Sequence, residues 1–177
     1  TSIASSEFNL NHLNFTEFFS YEECIAKPSS TWNTGGRMVF FKDGKILFTT
    51  GVMNTLTVAQ DKNSMFGKII AIDLKTKDYD IISMGHRNPQ GLTYIKKLNI
   101  IINTEHGPTG GDEININFHP DNEIVENYGW PISSYGVSDQ KTPIIAPMHK
   151  SHKDYGFIEP IKYFTPSIAI SEIIKIP

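Results

Sequence analysis

Cysteine is nearly absent: Cys24 stands alone in 177 residues. That excludes an internal disulfide framework and leaves the compartment open. An excess of one charge is also missing, since 16 Lys and Arg face 19 Asp and Glu for a formal net charge of -3. Such a chain has no general electrostatic drive towards nucleic acid or an anionic membrane. No apolar run approaches the ~18 residues that a membrane span needs. No window of ~11 or more residues carries a persuasive 3.6-residue period, so long amphipathic helices are not expected. The chain opens TSIASSEFNL, with no initiator Met, basic n-region or apolar h-region. No secretory signal lies within it, and a leader or longer N-terminal part upstream is expected.

What remains is apolar enough to fold. The hydrophobic fraction is 39% and aromatics make up 11%, which argues against a disordered chain. Residues 1–30 are mixed and polar without a clear period; they read as irregular, with room for one strand. From Arg37 the pattern sharpens into β-rich runs. Arg37 to Phe41 and Lys45 to Thr50 flank Lys42-Asp43-Gly44, a hairpin turn signal because Asp-Gly tolerates positive φ. Gly67 to Asp73 and Tyr79 to Met84 form a second pair around Lys75-Thr76-Lys77. Gly91 to Ile95 and Leu98 to Ile102 form a third around Lys96-Lys97, and Glu113 to Asn117 alternates apolar and polar. The chain is expected to be all-β.

A faint repeat supports a particular β architecture. GGRMVFFKDGKILFTTG and PQGLTYIKKLNIIINTEHG share a plan of loop, strand, basic turn, strand and polar loop ending in Gly. They start roughly 54 residues apart, near the ~40–50 residue period of propeller blades. SIAISEIIKIP at the end fits the opening of another unit. About three blades are expected over the chain, fewer than the ~4 of the smallest closed propellers. The chain is therefore too short to close a ring by itself, and its exposed blade faces and strand edges offer a route to association.

The most unusual segment is NTEHGPTGGDEI, Asn103 to Ile114, which follows an apolar strand and spends Gly107, Pro108, Gly110 and Gly111 on one loop. One reading is a tight turn between strands with Asp112 and Glu113 solvated. Another is a backbone-rich ligand site: glycine lets the main chain approach a ligand closely, and proline fixes φ and removes a competing donor. Upstream, GHRNPQGL (Gly85 to Leu92) places Arg87 and Asn88 in a loop that ends at Pro89. Arg87 suits recognition of planar anionic oxygens or pairing with Asp112 or Glu113 inside the blade. His86 and His106 flank the two loops; such histidines are more often packing or hydrogen-bonding residues than bases.

Taken in order, GHRNPQGL, EHGPTGGDEINI (Glu105 to Ile116) and NYGWP (Asn127 to Pro131) resemble the glucose/sorbosone dehydrogenase family, above all its soluble aldose sugar dehydrogenases that use pyrroloquinoline quinone, PQQ. GGRMVF, TTG, AQD, FGKIIAID and PIKYFTPSIA fit the same order, so the resemblance runs from about Asn33 to Ala169. It implies the middle part, about three blades, of a six-bladed β-propeller. It implies PQQ and Ca²⁺ as cofactors and an aldose or other small molecule as substrate, in a periplasmic or secreted protein. By the same resemblance, Gly107 and Pro108 give backbone carbonyls to Ca²⁺, and Arg87, Asn88 and Ser167 contact PQQ.

Two positions depart from the family pattern. The family's catalytic His falls on Asn33, and the acidic residue that supports it falls on Val52. A neutral amide cannot take a proton from a sugar hydroxyl at neutral pH, whereas imidazole can. The family's remaining cofactor-binding Lys and Arg lie in blades after the PSIA motif. Three readings follow: a PQQ-dependent aldose dehydrogenase-like protein with impaired turnover; a non-catalytic propeller segment that binds a sugar, an anion or a protein; and a structural remnant without a ligand. Hedgehog-interacting proteins resemble the family in their propeller and act by binding, a precedent for the second.

Overall fold

The computed structural model describes residues 2–25, 32–137 and 148–176. These residues are organised by strands, with two short 3₁₀ turns at Leu56–Gln60 and Lys153–Tyr155. All three expected hairpins form. β3 (Gly35–Phe40) and β4 (Lys45–Thr50) pair antiparallel across a turn in which Asp43 has φ 55° and Gly44 φ 72°. Two successive positive φ values match the right-handed twist of the flanking strands. β5 (Lys68–Asp73) and β6 (Tyr79–Met84) join through a turn closed by Asp73, whose Oδ1 accepts the amides of Lys75 and Thr76 at 2.7 and 3.0 Å. β7 (Pro89–Ile95) and β8 (Ile100–Glu105) make the third, with Asn99 at φ 52°. β9 (Asp112–Asn117) extends it on the far side of β8.

The first two hairpins merge into one sheet. With β10 (Glu126–Asn127) added parallel to β6, its order is β10-β6-β5-β4-β3. The third hairpin, β9 and β11 (Lys162–Phe164) form a four-stranded sheet of order β11-β9-β8-β7. The edge strands β3 and β7 lie beside each other, so these sheets stack like neighbouring blades. The repeat seen in the sequence thus marks equivalent strands of successive blades.

A third, two-stranded sheet lies where the sequence reads as irregular. β1 (Ser2–Ser5) and β2 (Thr16–Ser20) pair antiparallel with Ile3 opposite Phe19. Those two side chains are the buried ones of the pair, and they dock on Phe48, Ile70 and Ile72. With so few apolar anchors there is no local period to read; the strands are held by tertiary packing instead.

β5 explains the layering. Ile69 and Ala71 pack with Leu47, Leu92 and Ile101 between the two large sheets. Their alternate neighbours Ile70 and Ile72 pack with Phe48, Met65 and Phe66 towards β1–β2. A strand covered on both faces reads as a continuous apolar run, as KIIAID does. Just before it, the buried Lys68 ammonium donates to the carbonyls of Phe66, Val58 and Ala59 at 2.7, 2.8 and 3.2 Å. Burial pulls its pKa down to about 8. This cage closes the 51–67 loop, which carries Val52. Ile69→Ala and Ile70→Ala should each destabilise by ~2–5 kcal/mol, because adjacent residues fill opposite cores. Urea denaturation checks this; a sheet with one solvated face would leave one of the two variants near wild type.

Candidate cofactor-facing site

The loops singled out in the sequence converge at one end of the two large sheets. Asn33, at φ 62°, accepts the Met53 amide on its carbonyl at 3.0 Å and donates its side-chain amide to Asn54 at 2.7 Å. Gly51 permits this approach: a Cβ there would lie 1.9 Å from the Asn33 carbonyl oxygen. The next residue, Val52, donates its backbone amide to the Arg87 carbonyl at 3.0 Å. Its side chain is 0% exposed and packs with Leu56, Ala59 and Trp130. Asn33 is therefore a hydrogen-bonded amide and Val52 a sealed apolar group.

Arg87 and Asn88 are clamped to the glycine-rich loop. The Arg87 amide donates to Glu105 Oε2 at 3.0 Å, its Nη1 donates to the His106 carbonyl at 3.1 Å, and the His106 amide donates to the Asn88 carbonyl at 3.2 Å. The Arg87 guanidinium lies 5.4 Å from the centre of the Trp130 ring. Neither Asp112 nor Glu113 is its ion-pair partner. Asn88 Oδ1 accepts from the Gly35 amide at 3.2 Å and from Gln90 Nε2 at 2.8 Å, so its NH₂ is the end left for a ligand.

Asp112 ties this loop to the C-terminal segment. Oδ1 accepts from the Gly107 amide and the Ser167 hydroxyl, both at 3.0 Å, and Oδ2 from the amides of Ala169 and Ile168 at 2.7 and 2.9 Å. Burial pushes its pKa up, but the four donors outweigh it and hold the carboxyl below the ordinary range. Ser167, with its proton given to Asp112, can offer a ligand only acceptor lone pairs. Among the described residues, no hydrogen bond is accepted by the carbonyl oxygens of Gly107 or Pro108. No group of three or more His, Cys, Asp or Glu there could hold a metal. A hard cation here would rely on those backbone oxygens plus ligands from elsewhere.

Behind the loop lies a buried polar layer. Asn115 Nδ2 donates to Glu105 Oε1 at 3.2 Å and to Glu113 Oε2 at 3.3 Å. His86 Nδ1 lies 3.5 Å from Glu105, and His86 Nε2 meets the Ser83 hydroxyl at 2.8 Å. His152 Nε2 lies 3.3 Å from Glu113 Oε1, and its Nδ1 meets the Tyr128 carbonyl at 3.0 Å. Asp112 and Glu113 are thus buried, not solvated. Burial, reinforced by the nearby Glu105 charge, raises the Glu113 pKa against the pull of His152. Burial lowers that of His152, but the Glu113 contact outweighs it and the net direction is up.

Residues 1–176 match the family model described as Glucose / Sorbosone dehydrogenase. The chain belongs to the glucose/sorbosone dehydrogenase family. Within that family, the aldose sugar dehydrogenase YliI of Escherichia coli (strain K12) is 32% identical over 169 residues, covering 88% of this chain and 44% of the relative. Quinoprotein glucose dehydrogenase B of Acinetobacter calcoaceticus is 30% identical over 136 residues, 59% of this chain and 27% of the relative. The crystal structure of the soluble aldose sugar dehydrogenase (Asd) from E. coli in its apo-form matches with a TM-score of 0.75 and 28% identity, over 97% of this chain and 51% of that one. The chain thus spans about half the length of this solved relative and less of the two sequence relatives. Its stacked sheets are blades of a partial β-propeller.

In this glucose/sorbosone dehydrogenase fold Asn33, Val52, Arg87, Asn88, Gly107, Pro108 and Ser167 were legible in the motifs as candidates, and the structure sets the Arg87–Asn88 turn against the loop that carries Gly107 and Pro108. The hub role of Asp112 and the parts played by Glu105, Trp130 and His152 were not legible. A signal existed: Asn103, Glu105, Glu113 and Asn115 recur every second residue on paired strands, with Asn103 opposite Asn115 and Glu105 opposite Glu113. Such a ladder marks a polar sheet face, but its cover comes from remote segments around Tyr128 and His152. The raised pKa values of His152 and Glu113 mean that the folded state holds these protons more tightly than the unfolded chain. The Glu113 contribution is complete below its ordinary value of 4.5 and that of His152 below 6.5; each is lost as pH rises through the raised folded value. Thermal melting should therefore fall more steeply above pH 6.5 in the wild type than in Glu113→Gln. Parallel profiles would remove the pair from the pH dependence.

Proposed function

We propose that this chain is the cofactor-facing part of a sugar dehydrogenase that binds PQQ with Ca²⁺ and turns over slowly. The observation that carries this reading is the clamp between the Arg87–Asn88 turn and the Gly107–Pro108 loop, which brings cationic, amide and carbonyl groups to one end of the blades. The residues fit the group. Arg87, set over Trp130, offers planar donors to anionic oxygens. Asn88 offers its NH₂, and Gly107 and Pro108 offer carbonyl oxygens to a calcium ion. Ser167 is the weakest member, because its hydroxyl proton is committed to Asp112. The chemistry supplied by the bound group is acceptance of hydride from the sugar C1, helped by a cation at a quinone oxygen.

What this chain supplies poorly is a proton acceptor. Asn33 has no basic nitrogen, and Val52 offers no carboxylate to support one. Loss of a general base typically lowers rates by ~10²–10⁴. A periplasmic or secreted location belongs to the same proposal; no helix among the described residues is long and apolar enough to cross a membrane. The burial of Val52 favours one second reading, a propeller segment that binds a sugar, anion or protein without oxidising anything.

Reduction of an artificial acceptor with glucose, PQQ and Ca²⁺ tests the proposal in the full-length protein. Wild-type turnover should be very low. Asn33→His with Val52→Asp should raise it more than either change alone, since an oriented base acts as a unit. Val52→Asp by itself should lower the melting temperature, because it buries an unpaired carboxylate. Family-like turnover in the wild type would overturn the assignment of Asn33. No gain in the double variant, with PQQ still bound, would favour the binding-only reading.

A further inference from the structure

The geometry points to a single-water site behind the glycine-rich loop, at which one neutral internal water seats Trp130 and His106. The inference does not depend on the cofactor reading. A small, partly open space lies between the 105–113 segment and the one carrying Tyr128, Trp130 and Ser133, with His152 at its side and Arg87 and Gly107 on its wall. Three of the residues lining it contribute buried nitrogens without a hydrogen-bond partner: Trp130 Nε1, His106 Nε2 and His152 Nε2. Trp130 and His152 are only 4% and 1% exposed. His152 Nε2 lies 3.3 Å from Glu113 Oε1, close enough for charge attraction yet without a hydrogen bond. Buried polar atoms are normally satisfied by protein or ordered water, so three orphans around one space call for an occupant.

Chemistry and size select the occupant. The indole N–H is a donor only, so its partner must accept; a bare metal ion cannot. Arg87 lines the same space beside Glu105 and Glu113, so its walls favour neither an anion nor a cation. The imidazole nitrogens donate or accept according to tautomer, so the partner must do both. The cavity is about 10 Å³, on the scale where one water needs roughly 10–15 Å³ and two to four polar partners. Water meets each condition; a sugar or an organic anion is too large. The consequence is local order: the water holds the indole beneath the Arg87 guanidinium and the His106 ring beside Gly107.

A high-resolution crystal structure, with a scan for anomalous scatterers, tests the site directly. The expected result is one density peak within hydrogen-bond distance of at least two of the three nitrogens, without anomalous signal. Magnetic relaxation dispersion of water oxygen, which counts long-lived internal waters, should find one fewer in Trp130→Phe than in the wild type. If that variant fails to fold, His106→Leu takes its place with the same expected loss. An empty cavity, a metal ion in it, nitrogens bonded directly to protein groups, or an unchanged water count in the variant that folds would each overturn the inference.

Discussion

The carboxylate of Asp112 is the constraint on which the rest of the site depends. It gathers an amide from the glycine-rich loop, a hydroxyl from Ser167 and two amides from the segment that follows. Four donors on one buried carboxylate fix two stretches of chain more than fifty residues apart. Without that point, the loop carrying Gly107 and Pro108 would keep its tie to Arg87 and its backbone bonds but lose its link to Ser167, Ile168 and Ala169. Hydrogen bonds to charged groups contribute ~1.5–3 kcal/mol each, so the hub outweighs any single neutral contact nearby. The same donors hold the Asp112 carboxyl below the ordinary range and so favour its ionised form.

The blades supply the rigid background for this hub. Both faces of the β3–β6 sheet are covered, one by β1–β2 and the other by β7–β8. The β8–β9 pair is different, because the face it turns to the site carries Glu105, Glu113 and Asn115 instead of aliphatic side chains. A buried polar face is unfavourable unless its members satisfy one another. Here Asn115 bridges the two carboxylates and a histidine stands beside each, but Asn115 Oδ1, His86 Nδ1 and His152 Nε2 have no hydrogen-bond partner among the described residues. The loops inherit their position from this layer: Glu105 also accepts the Arg87 amide, so one side chain joins the polar layer to the Arg87–Asn88 turn.

Local chemistry made part of this architecture readable in the sequence. Asp43-Gly44 marks a turn because few other dipeptides accept two positive φ values, and the structure places them at 55° and 72°. The spacing of the two similar segments pointed to stacked sheets. The pairing of β1 with β2 was unreadable because it rests on Ile3 and Phe19 meeting a core built elsewhere. The merging of the first two hairpins into one sheet was unreadable for a similar reason: the pairing of β4 with β5 spans a long loop whose closure depends on the Lys68 cage. In the site, Arg87 and Gly107 were visible as residue types suited to ligands. The burial of Asp112 and Glu113 was not, since their cover comes from distant segments.

The central claim is that Gly107 and Pro108 supply two oxygens of a cation site that needs a bound carboxylate or quinone oxygen as a further ligand. Two carbonyls are too few for an ion that takes ~6–8 oxygens. Calorimetric titration with Ca²⁺, in the absence and presence of PQQ, tests this most directly. Weak or undetectable binding of calcium alone, becoming tight once PQQ is added and lost again in Asp112→Ala, is the expected result. Tight calcium binding at this loop without PQQ, or no binding under either condition, would contradict the claim.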